Sequence, residues 1–271
     1  MQALAERLEE TLRGAGLVRF VPIQFSAAKT FDPDPAALVG RSLSSVGRRG
    51  KFLVFDFDGM KLLIHLSQGG RVDVEEPPKT TRPKNGVARA VFEGPKAFFV
   101  KEFGTQRKAG WWILAPGDEG PLTRLGPEPF SDGFESWVME TDDRRRLHTA
   151  LRDQRTVAGI GRGYVDEILH EVQLSPYATL ASLDGTNRRR LLSGVRDILE
   201  RGLALERKRR GGLPTKLPGR FFVHGHAGEP CPRCEAELKR VSYEDYEIVY
   251  CPICQTGGKL LADRRLSRIV K

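Results

Sequence analysis

The chain begins with a helical pattern of apolar and polar positions. Leu4, Leu8 and Leu12 recur every fourth residue, and the residues between them are mostly charged. This periodicity predicts an amphipathic helix, which Gly14 and Gly16 end. No Ser, Thr, Asp or Asn precedes the helix as a cap, so its pattern is already under way at the first residues of the sequence.

A strand pattern follows, from Leu17 to about Leu114. The apolar runs 51–57 and 60–66 flank Asp58-Gly59, a pair typical of a tight hairpin turn. Further β-rich runs cover 87–93, 97–103 and 110–114. Several short strands separated by turn residues predict a β-sandwich.

The C-terminal half has a helical pattern that begins after a Pro- and Gly-rich stretch at 115–129, which marks a domain boundary. Candidate helices cover 134–140, 142–153, 163–172, 179–183 and 187–208. Two basic clusters occur among them. We interpret 144–146 as a solvated helix face and 207–210 as the start of a mobile basic loop.

Composition places the chain among globular, multidomain proteins. Its 271 residues are 39% hydrophobic and 29% charged. No apolar run approaches the roughly 18 residues of a membrane span, and the first residues do not form a secretory signal, so we expect a cytoplasmic protein. The net charge of +9 favours a polyanionic partner, although a merely basic soluble protein fits the charge equally well.

Two Cys-x-x-Cys motifs lie near the C-terminus, separated by residues 235–250. This spacing predicts one structural Zn²⁺ bound by four thiolates, and a redox dithiol or a chance pair is the alternative. The predicted ligands are Cys231, Cys234, Cys251 and Cys254. Four cysteines complete a tetrahedral site, so we interpret the nearby His224 and His226 as strand or turn residues.

Three glycines, Gly159, Gly161 and Gly163, crowd the start of a predicted helix. Such a turn exposes backbone N–H groups to an anion. It is a weak dinucleotide fingerprint because it follows a helix and not a strand. With Arg162 at the helix N-terminus, it fits a DNA phosphate better.

Short motifs occur in a fixed order through most of the chain. They are Leu125-Gly-Pro-Glu-Pro129, Asp153-Gln154, Ala158-Gly-Ile-Gly161 with Tyr164, Asp166 and Glu167, Gly228-Glu-Pro-Cys231, and Cys251-Pro-Ile-Cys-Gln255. In this order they resemble the formamidopyrimidine-DNA glycosylase / endonuclease VIII family of base-excision repair enzymes.

The resemblance implies an α+β multidomain fold. Residues 1–120 would form a β-sandwich flanked by helices and 121–135 an interdomain linker. Residues 136–219 would form a helix–two-turns–helix DNA-binding domain, and 220–271 a β-hairpin zinc finger. A zinc-bearing transcription regulator is a weaker interpretation, because it leaves the β-rich half unexplained.

The implied function is that of a DNA glycosylase and AP lyase. Such enzymes flip an oxidised base or abasic site out of DNA, excise the base, and nick the strand by β-elimination through a Schiff base. In the family the amine is the proline of an opening Met-Pro-Glu-Leu-Pro-Glu-Val, helped by the adjacent Glu. Here Met1 stands at the Val position, so that segment is absent from the sequence as written. We expect a misassigned start. The alternative is a catalytically inactive paralogue that binds damaged DNA or abasic sites.

The resemblance also implies roles for individual residues. Lys51 matches the hairpin lysine that contacts DNA and donates a proton during elimination. Gln68 replaces a void-filling Met, Phe103 is the wedge of a Lys-Glu-Phe-Gly motif, and Arg162 replaces a phosphate-binding Asn. The full predicted DNA-binding set is Lys51, His65, Gln68, Phe103, Gly161, Arg162, Tyr164 and Glu167.

The expected partner is double-stranded DNA that carries damaged bases or abasic sites. We expect a monomer without a nucleotide cofactor, acting in the bacterial cytoplasm at the nucleoid. Tyr246 stands near the position of an Arg that assists δ-elimination in many members, so β-elimination is favoured over β,δ-elimination. The lesion, the opposite base and the strandedness of the DNA stay open.

Overall fold

A computed structural model describes residues 1–103, 106–209, 221–243 and 246–262. It divides into two compact units. Met1–Thr123 form the first unit together with the end of the longest helix, from Leu205. Arg124–Ala204 and the C-terminal finger form the second unit. The finer division at residues 136–219 and 220–271 stays a prediction.

The first unit is a β-sandwich with a helix at its start, which confirms the predicted fold class. Helix α1 spans Gln2–Leu12. Two antiparallel four-stranded sheets follow, with strand orders β1-β6-β7-β5 and β2-β3-β4-β8. The strands are β1 Leu17–Pro22, β2 Ser45–Arg49, β3 Phe52–Phe57, β4 Met60–His65, β5 Gly70–Glu75, β6 Gly86–Phe92, β7 Lys96–Glu102 and β8 Gly110–Leu114.

Aromatic side chains fill the space between the two sheets. Phe55 and Phe98 stack with ring centroids 4.8 Å apart, and Phe57 stacks on Phe92 at 6.3 Å. The predicted apolar face of α1 joins this core, because Leu8 and Leu12 are fully buried. Alternate residues of β3 point inward, as a half-buried strand requires.

The turns of the second sheet position Lys51. Asp58 and Gly59 have φ values of +52° and +92°, the primed turn predicted between β3 and β4. Gly50, with φ +56°, and Lys51 form the two-residue turn between β2 and β3, where Arg49 pairs with Phe52. A left-handed first turn position favours glycine, which explains Gly50 beside Lys51.

The second unit is helical and carries the finger. Its helices are α2 Asp132–Glu140, α3 Leu147–Arg152, α4 Arg162–Glu171 and α5 Gly185–Lys208. The finger contains the hairpin β9 Lys239–Ser242 and β10 Glu247–Tyr250, and the short helix α6 Pro252–Thr256. No helix in the described ranges has the length and apolar character that crossing a bilayer requires.

Helix α3 begins at Leu147, whereas the sequence predicted a helix over 142–153. The Asp143 carboxylate accepts hydrogen bonds from the Arg145 backbone N–H and from its guanidinium, and this local structure competes with a helix. The Arg145 bond holds the pKa of Asp143 below its ordinary value. The interpretation of 144–146 as a solvated helix face is therefore wrong.

The second basic cluster is helical as far as Lys208, so its interpretation as a loop is wrong for that part, and Arg210 lies outside the described residues. Arg207 forms a 2.7 Å ion pair with Glu6 of α1. The Arg207 hydrogen bond lowers the pKa of Glu6 to about 2. Arg7 donates to the carbonyl oxygens of Glu206 and Arg209. These contacts fasten the end of α5 to α1.

Candidate metal centre and nucleic-acid interface

The four predicted cysteines meet in one cluster. Their Sγ atoms all lie within 4.8 Å of one another. Cys231 and Cys254 are separated by 4.0 Å, and Cys234 and Cys251 by 3.4 Å. Four thiolates at Zn–S distances of about 2.3 Å around a tetrahedral ion would lie roughly 3.8 Å apart. The donor set and its spacing therefore fit a structural zinc ion.

Two further side chains support the cysteine cluster. His170 of α4 places Nε2 3.2 Å from the Cys231 Sγ. Gln255 accepts from the Cys251 N–H and donates to the carbonyl of Leu174. Side chains behind metal ligands commonly fix ligand geometry in this way. His224 and His226 are not among the clustered ligands, and they bond to Asp166 and Glu229.

The glycine-rich turn is held open by Gln154. Its side chain donates to the carbonyl of Ile160 and accepts from the N–H of Gly159. Gly161 is the N-cap of α4 and Arg162 is the first residue of the helix. This is the helix–turn–helix arrangement predicted for the segment, with a basic side chain at a helix N-terminus, where the helix dipole favours anions.

Gly163 permits a close approach between α4 and the finger. A Cβ at this position would lie 2.6 Å from the Phe221 ring and 2.9 Å from the His224 ring. The Phe221 ring also contacts Tyr164 edge-on, with centroids 5.3 Å apart. On its other side Tyr164 packs on Gly202 of α5, where a Cβ would lie 2.5 Å from the Tyr164 hydroxyl.

Glu167 is buried and bonded to the finger backbone. Its Oε1 accepts from the N–H groups of Phe222, Val223 and His224 at 3.1, 2.8 and 2.9 Å. Only 7% of the residue is exposed. The sequence suggested Glu167 as a DNA-binding residue, and the structure gives its carboxylate backbone partners instead. A direct DNA contact by Glu167 stays a prediction.

Asp166 lies between two histidines and is itself buried. Its Oδ2 is 2.6 Å from Nδ1 of His224, and its Oδ1 is 3.2 Å from Nε2 of His148. The second contact lacks hydrogen-bond geometry. The hydrogen bond that the His224 ring donates to Asp166 raises the pKa of His224, and burial and the neighbouring Arg162 oppose that shift.

An open cleft lies between the start of α4 and the finger hairpin. Its lining residues are Arg162, His224, Arg240, Ser242, Tyr243, Tyr246 and Glu247. Arg240 and Glu247 face each other across the hairpin at 3.6 Å. Two guanidinium groups, a histidine and three hydroxyl groups make this cleft suited to an anion.

Stacked rings attach the tip of the finger hairpin to the helices. Tyr243 and Tyr246 stack with centroids 4.5 Å apart, and Arg152 lies 3.8 Å over the Tyr246 ring. Arg146 donates to the Tyr243 hydroxyl and lies 3.6 Å over the ring of Tyr177. The finger side of the cleft is therefore held by contacts that are independent of the cysteines.

In the first unit, Lys51 and His65 lie close together. Burial lowers the pKa of His65, and the charge of Lys51 lowers it further. The ring of His65 packs on Phe52 with centroids 4.9 Å apart, and Phe52 contacts Trp112 edge-on at 5.4 Å. The predicted proton donor thus stands at a hairpin turn beside an aromatic cluster.

The two residues predicted to enter the DNA stack lie on adjacent loops. Gln68 is exposed next to Gly69, whose carbonyl accepts the N–H of Phe103 at 2.9 Å. A Cβ on Gly69 would lie 1.9 Å from the Phe103 carbonyl oxygen, so only glycine allows this approach. The Glu102 carboxylate is buried and accepts from the N–H groups of Lys108 and Ala109. DNA contacts by Gln68 and Phe103 stay predictions.

Sequence reasoning missed several residues of the second unit. His224 was interpreted as a strand or turn residue, and Arg240 and Tyr243 received no role. His224 and Tyr243 have partners far away along the chain, 58 residues for His224 with Asp166 and 97 for Tyr243 with Arg146. No local periodicity carries such a signal.

Two family models match the chain. The formamidopyrimidine-DNA glycosylase N-terminal domain matches residues 1–112, and the formamidopyrimidine-DNA glycosylase H2TH domain matches residues 125–211. Among solved structures, the MutM (Fpg) protein of Thermus thermophilus has a TM-score of 0.78 at 30% identity, with 95% of this chain and 97% of that chain covered. Lactococcus lactis Fpg bound to DNA with an AP site has a TM-score of 0.82, with 94% of this chain and 97% of that chain covered. At 23% identity it shows the fold alone.

Known relatives agree with this assignment. The formamidopyrimidine-DNA glycosylase of Thermus thermophilus is 34% identical over 236 residues, which cover 81% of this chain and 84% of that protein. That of Heliobacterium modesticaldum is 32% identical over 261 residues and covers 88% and 90%. An uncharacterized formamidopyrimidine-DNA glycosylase-like protein of Mycobacterium tuberculosis is 37% identical over 162 residues, 54% of this chain and 98% of that protein. By its sequence, its fold and its ordered motifs, the chain belongs to the formamidopyrimidine-DNA glycosylase family.

Proposed function

We propose that this chain binds damaged DNA and that, with the N-terminal Pro-Glu-Leu-Pro-Glu-Val segment that the family resemblance implies, it acts as a base-excision repair glycosylase with AP lyase activity. The observation that carries the proposal is the cationic cleft, because a helix N-terminus and a finger hairpin converge there on a space suited to a backbone phosphate. Arg162 and Arg240 supply planar guanidinium groups, which bind phosphate oxygens in pairs. We expect the chain to act as a monomer in the bacterial cytoplasm.

The first unit would supply the groups that act on the extruded nucleotide. Gln68 and Phe103 lie on neighbouring loops, and this proximity supports a role for Gln68 in filling the gap and for Phe103 in wedging the stack. Lys51 at its hairpin turn would contact the flanking phosphate. It would also give a proton to the departing group during β-elimination.

The covalent step requires an amine. In the mechanism that the family resemblance implies, the amine attacks C1′ of the sugar, the base departs, and the resulting Schiff base makes the 2′ proton acidic enough for the 3′ phosphate to leave. The sequence as written opens Met1-Gln2 and contains no Pro-Glu-Leu-Pro-Glu segment. The lyase proposal therefore rests on a chain that carries this segment.

A zinc ion is the metal that the four cysteines suit best. Cys231, Cys234, Cys251 and Cys254 would hold it, and its contribution would be structural because four protein ligands leave no open position. The ion would stabilise the fold of the hairpin that carries Arg240. It takes no part in the chemistry at C1′.

Borohydride trapping on DNA with an abasic site tests the function. We would compare the chain as written with a form in which Met-Pro-Glu-Leu-Pro-Glu-Val replaces Met1. We expect both forms to bind the DNA and only the extended form to give a covalent adduct. In the extended form, Lys51→Gln should still trap but should nick more slowly.

The possible failures of this experiment differ in meaning. An extended form that binds but never traps would refute the lyase and support the alternative, a protein that binds damaged DNA without chemistry. Absence of binding by both forms at low salt would refute the DNA-binding function itself.

A further inference from the structure

The side chain of His224 belongs to the lining of the cleft, whereas the sequence indicated only a strand or turn residue. Its ring lines the cleft beside Arg162 and Arg240. Its Nδ1 is occupied by Asp166 at 2.6 Å, which leaves Nε2 as the second hydrogen-bonding atom of the ring. The side chain is 28% exposed, whereas that of Asp166 is fully buried.

Several features hold the ring in this position. The N–H of His224 is bonded to Glu167, and the ring packs edge-on against Phe221 with centroids 5.4 Å apart. Gly163 leaves the space that the ring occupies. A ring fixed by its backbone, by one ring nitrogen and by a flanking aromatic has little freedom to leave the cleft, so its orientation is set before any ligand binds.

The charges around the ring determine what it can bind. The charged and titratable groups facing it are Asp166 and Arg162 of α4, Glu247 and Tyr246 of the second hairpin strand and its turn, and Arg240 and Tyr243 of the first strand and its turn, with His148 behind Asp166. Asp166 is hydrogen-bonded to Nδ1 of His224. Arg162 and Arg240 instead line the cleft together with the His224 ring. A cationic imidazole paired with Asp166 and flanked by two arginines suits a phosphate oxygen.

We propose that His224 binds a DNA backbone phosphate through Nε2, and that Asp166 is its positioning residue, so that DNA affinity in this chain depends on the proton carried by His224. This inference rests on the proposed DNA-binding function. The protonated ring donates a charge-assisted hydrogen bond, and the neutral tautomer with its proton on Nδ1 presents a lone pair to the phosphate instead. Affinity should therefore be higher below the pKa of His224 and fall as the pH rises through it.

The test is the affinity for a duplex with a stable abasic-site analogue, measured by anisotropy from pH 5.5 to 8.5 at fixed ionic strength. We expect the wild-type Kd to rise about tenfold across this range, the loss of roughly one charge-assisted bond. His224→Gln should flatten the profile. It should also reduce the slope of log K against log salt by about 0.9 at low pH and leave it unchanged at high pH, because one phosphate contact is lost. Asp166→Asn should shift the transition to lower pH.

His226→Gln is the matched control, since His226 is half-buried, bonds to Glu229 and does not line the cleft. Its pH profile should follow that of the wild type. The pH titration of the His224 ring by NMR in the free wild-type protein should show a pKa above the ordinary value of histidine, because Asp166 accepts a hydrogen bond from the ring. This result does not depend on the folding of any variant. Equal pH profiles and salt slopes for wild type and His224→Gln, with DNA binding intact, would overturn this inference alone. No DNA binding at any pH would instead refute the proposed function.

Discussion

Glu167→Gln tests whether the buried carboxylate holds the finger or contacts DNA. The carboxylate accepts the N–H groups of three consecutive residues, Phe222, Val223 and His224, within 3.2 Å. A glutamine keeps one acceptor oxygen but loses the charge, and its NH₂ group faces the Phe222 N–H. Hydrogen bonds to charged groups contribute about 1.5–3 kcal/mol and neutral ones about 0.5–1.5 kcal/mol. The expected loss is therefore about 2 kcal/mol in the local opening free energy of this segment.

Hydrogen–deuterium exchange of the 222–224 amides measures this loss directly, because exchange follows local opening. A change of about 2 kcal/mol corresponds to roughly 30-fold faster exchange. Glu171→Gln is the control on the same helix. Its carboxylate pairs with Arg201 at 3.1 Å and with Arg233 of the finger at 3.6 Å. Both are exposed ion pairs, so we expect little change in the exchange of the 222–224 amides. Unaltered exchange in Glu167→Gln together with weaker DNA binding would show that Glu167 acts on DNA and that the structural reasoning is wrong.

Three further changes test the fold and the site. Cys251→Ser should abolish zinc binding, measured by metal analysis, and weaken DNA binding, because the metal's binding energy is folding energy for so small a module; unchanged zinc content would contradict the assignment. Gly163→Ala should lower DNA affinity with zinc content preserved, since its Cβ would displace the Phe221 and His224 rings, and wild-type affinity would show that the rings adapt without loss. Leu8→Ala should lower the free energy of unfolding of the first unit by about 2–5 kcal/mol, because Leu8 is fully buried. Denaturant unfolding followed in that unit measures the loss, and a much smaller loss would contradict the prediction.

The sequence predicted the features that rest on local patterns. The apolar period of α1, the Asp58-Gly59 turn and the two Cys-x-x-Cys motifs each lie within a short stretch, and the structure confirms the helix, the turn and the cysteine cluster. Three strands, β1, β2 and β5, were not predicted. They carry charged residues such as Arg19 and Asp73, which interrupt the apolar alternation, although β1 and β5 are as long as the predicted strands β3 and β4.

The contacts that shape the cleft could not be predicted in the same way. In the sequence Arg146 belongs to a run of basic residues. Its contacts with Tyr177 and Tyr243 arise from the tertiary fold, which a local pattern does not predict. His224 and Asp166 likewise belong to segments that periodicity treats separately. Family resemblance supplied the positions of Gly161 and Arg162, but not the histidine–aspartate pair opposite them.

Three kinds of contact hold the finger, and they contribute different free energies. The largest contribution decides whether the finger folds, and the smaller ones decide how its side chains are positioned. Structural zinc contributes about 10–16 kcal/mol in isolated finger peptides, the Glu167 bonds contribute a few kcal/mol, and stacked pairs such as Tyr243 with Tyr246 contribute about 0.5–1.5 kcal/mol each. Loss of zinc should therefore unfold the finger. Loss of Glu167 or of the tyrosine stack should leave it folded and only shift Arg240 and His224 relative to Arg162. A hydrogen bond to a phosphate weakens steeply when its donor is displaced. We therefore expect such small shifts of Arg240 and His224 to change the affinity for DNA more than the stability of the finger.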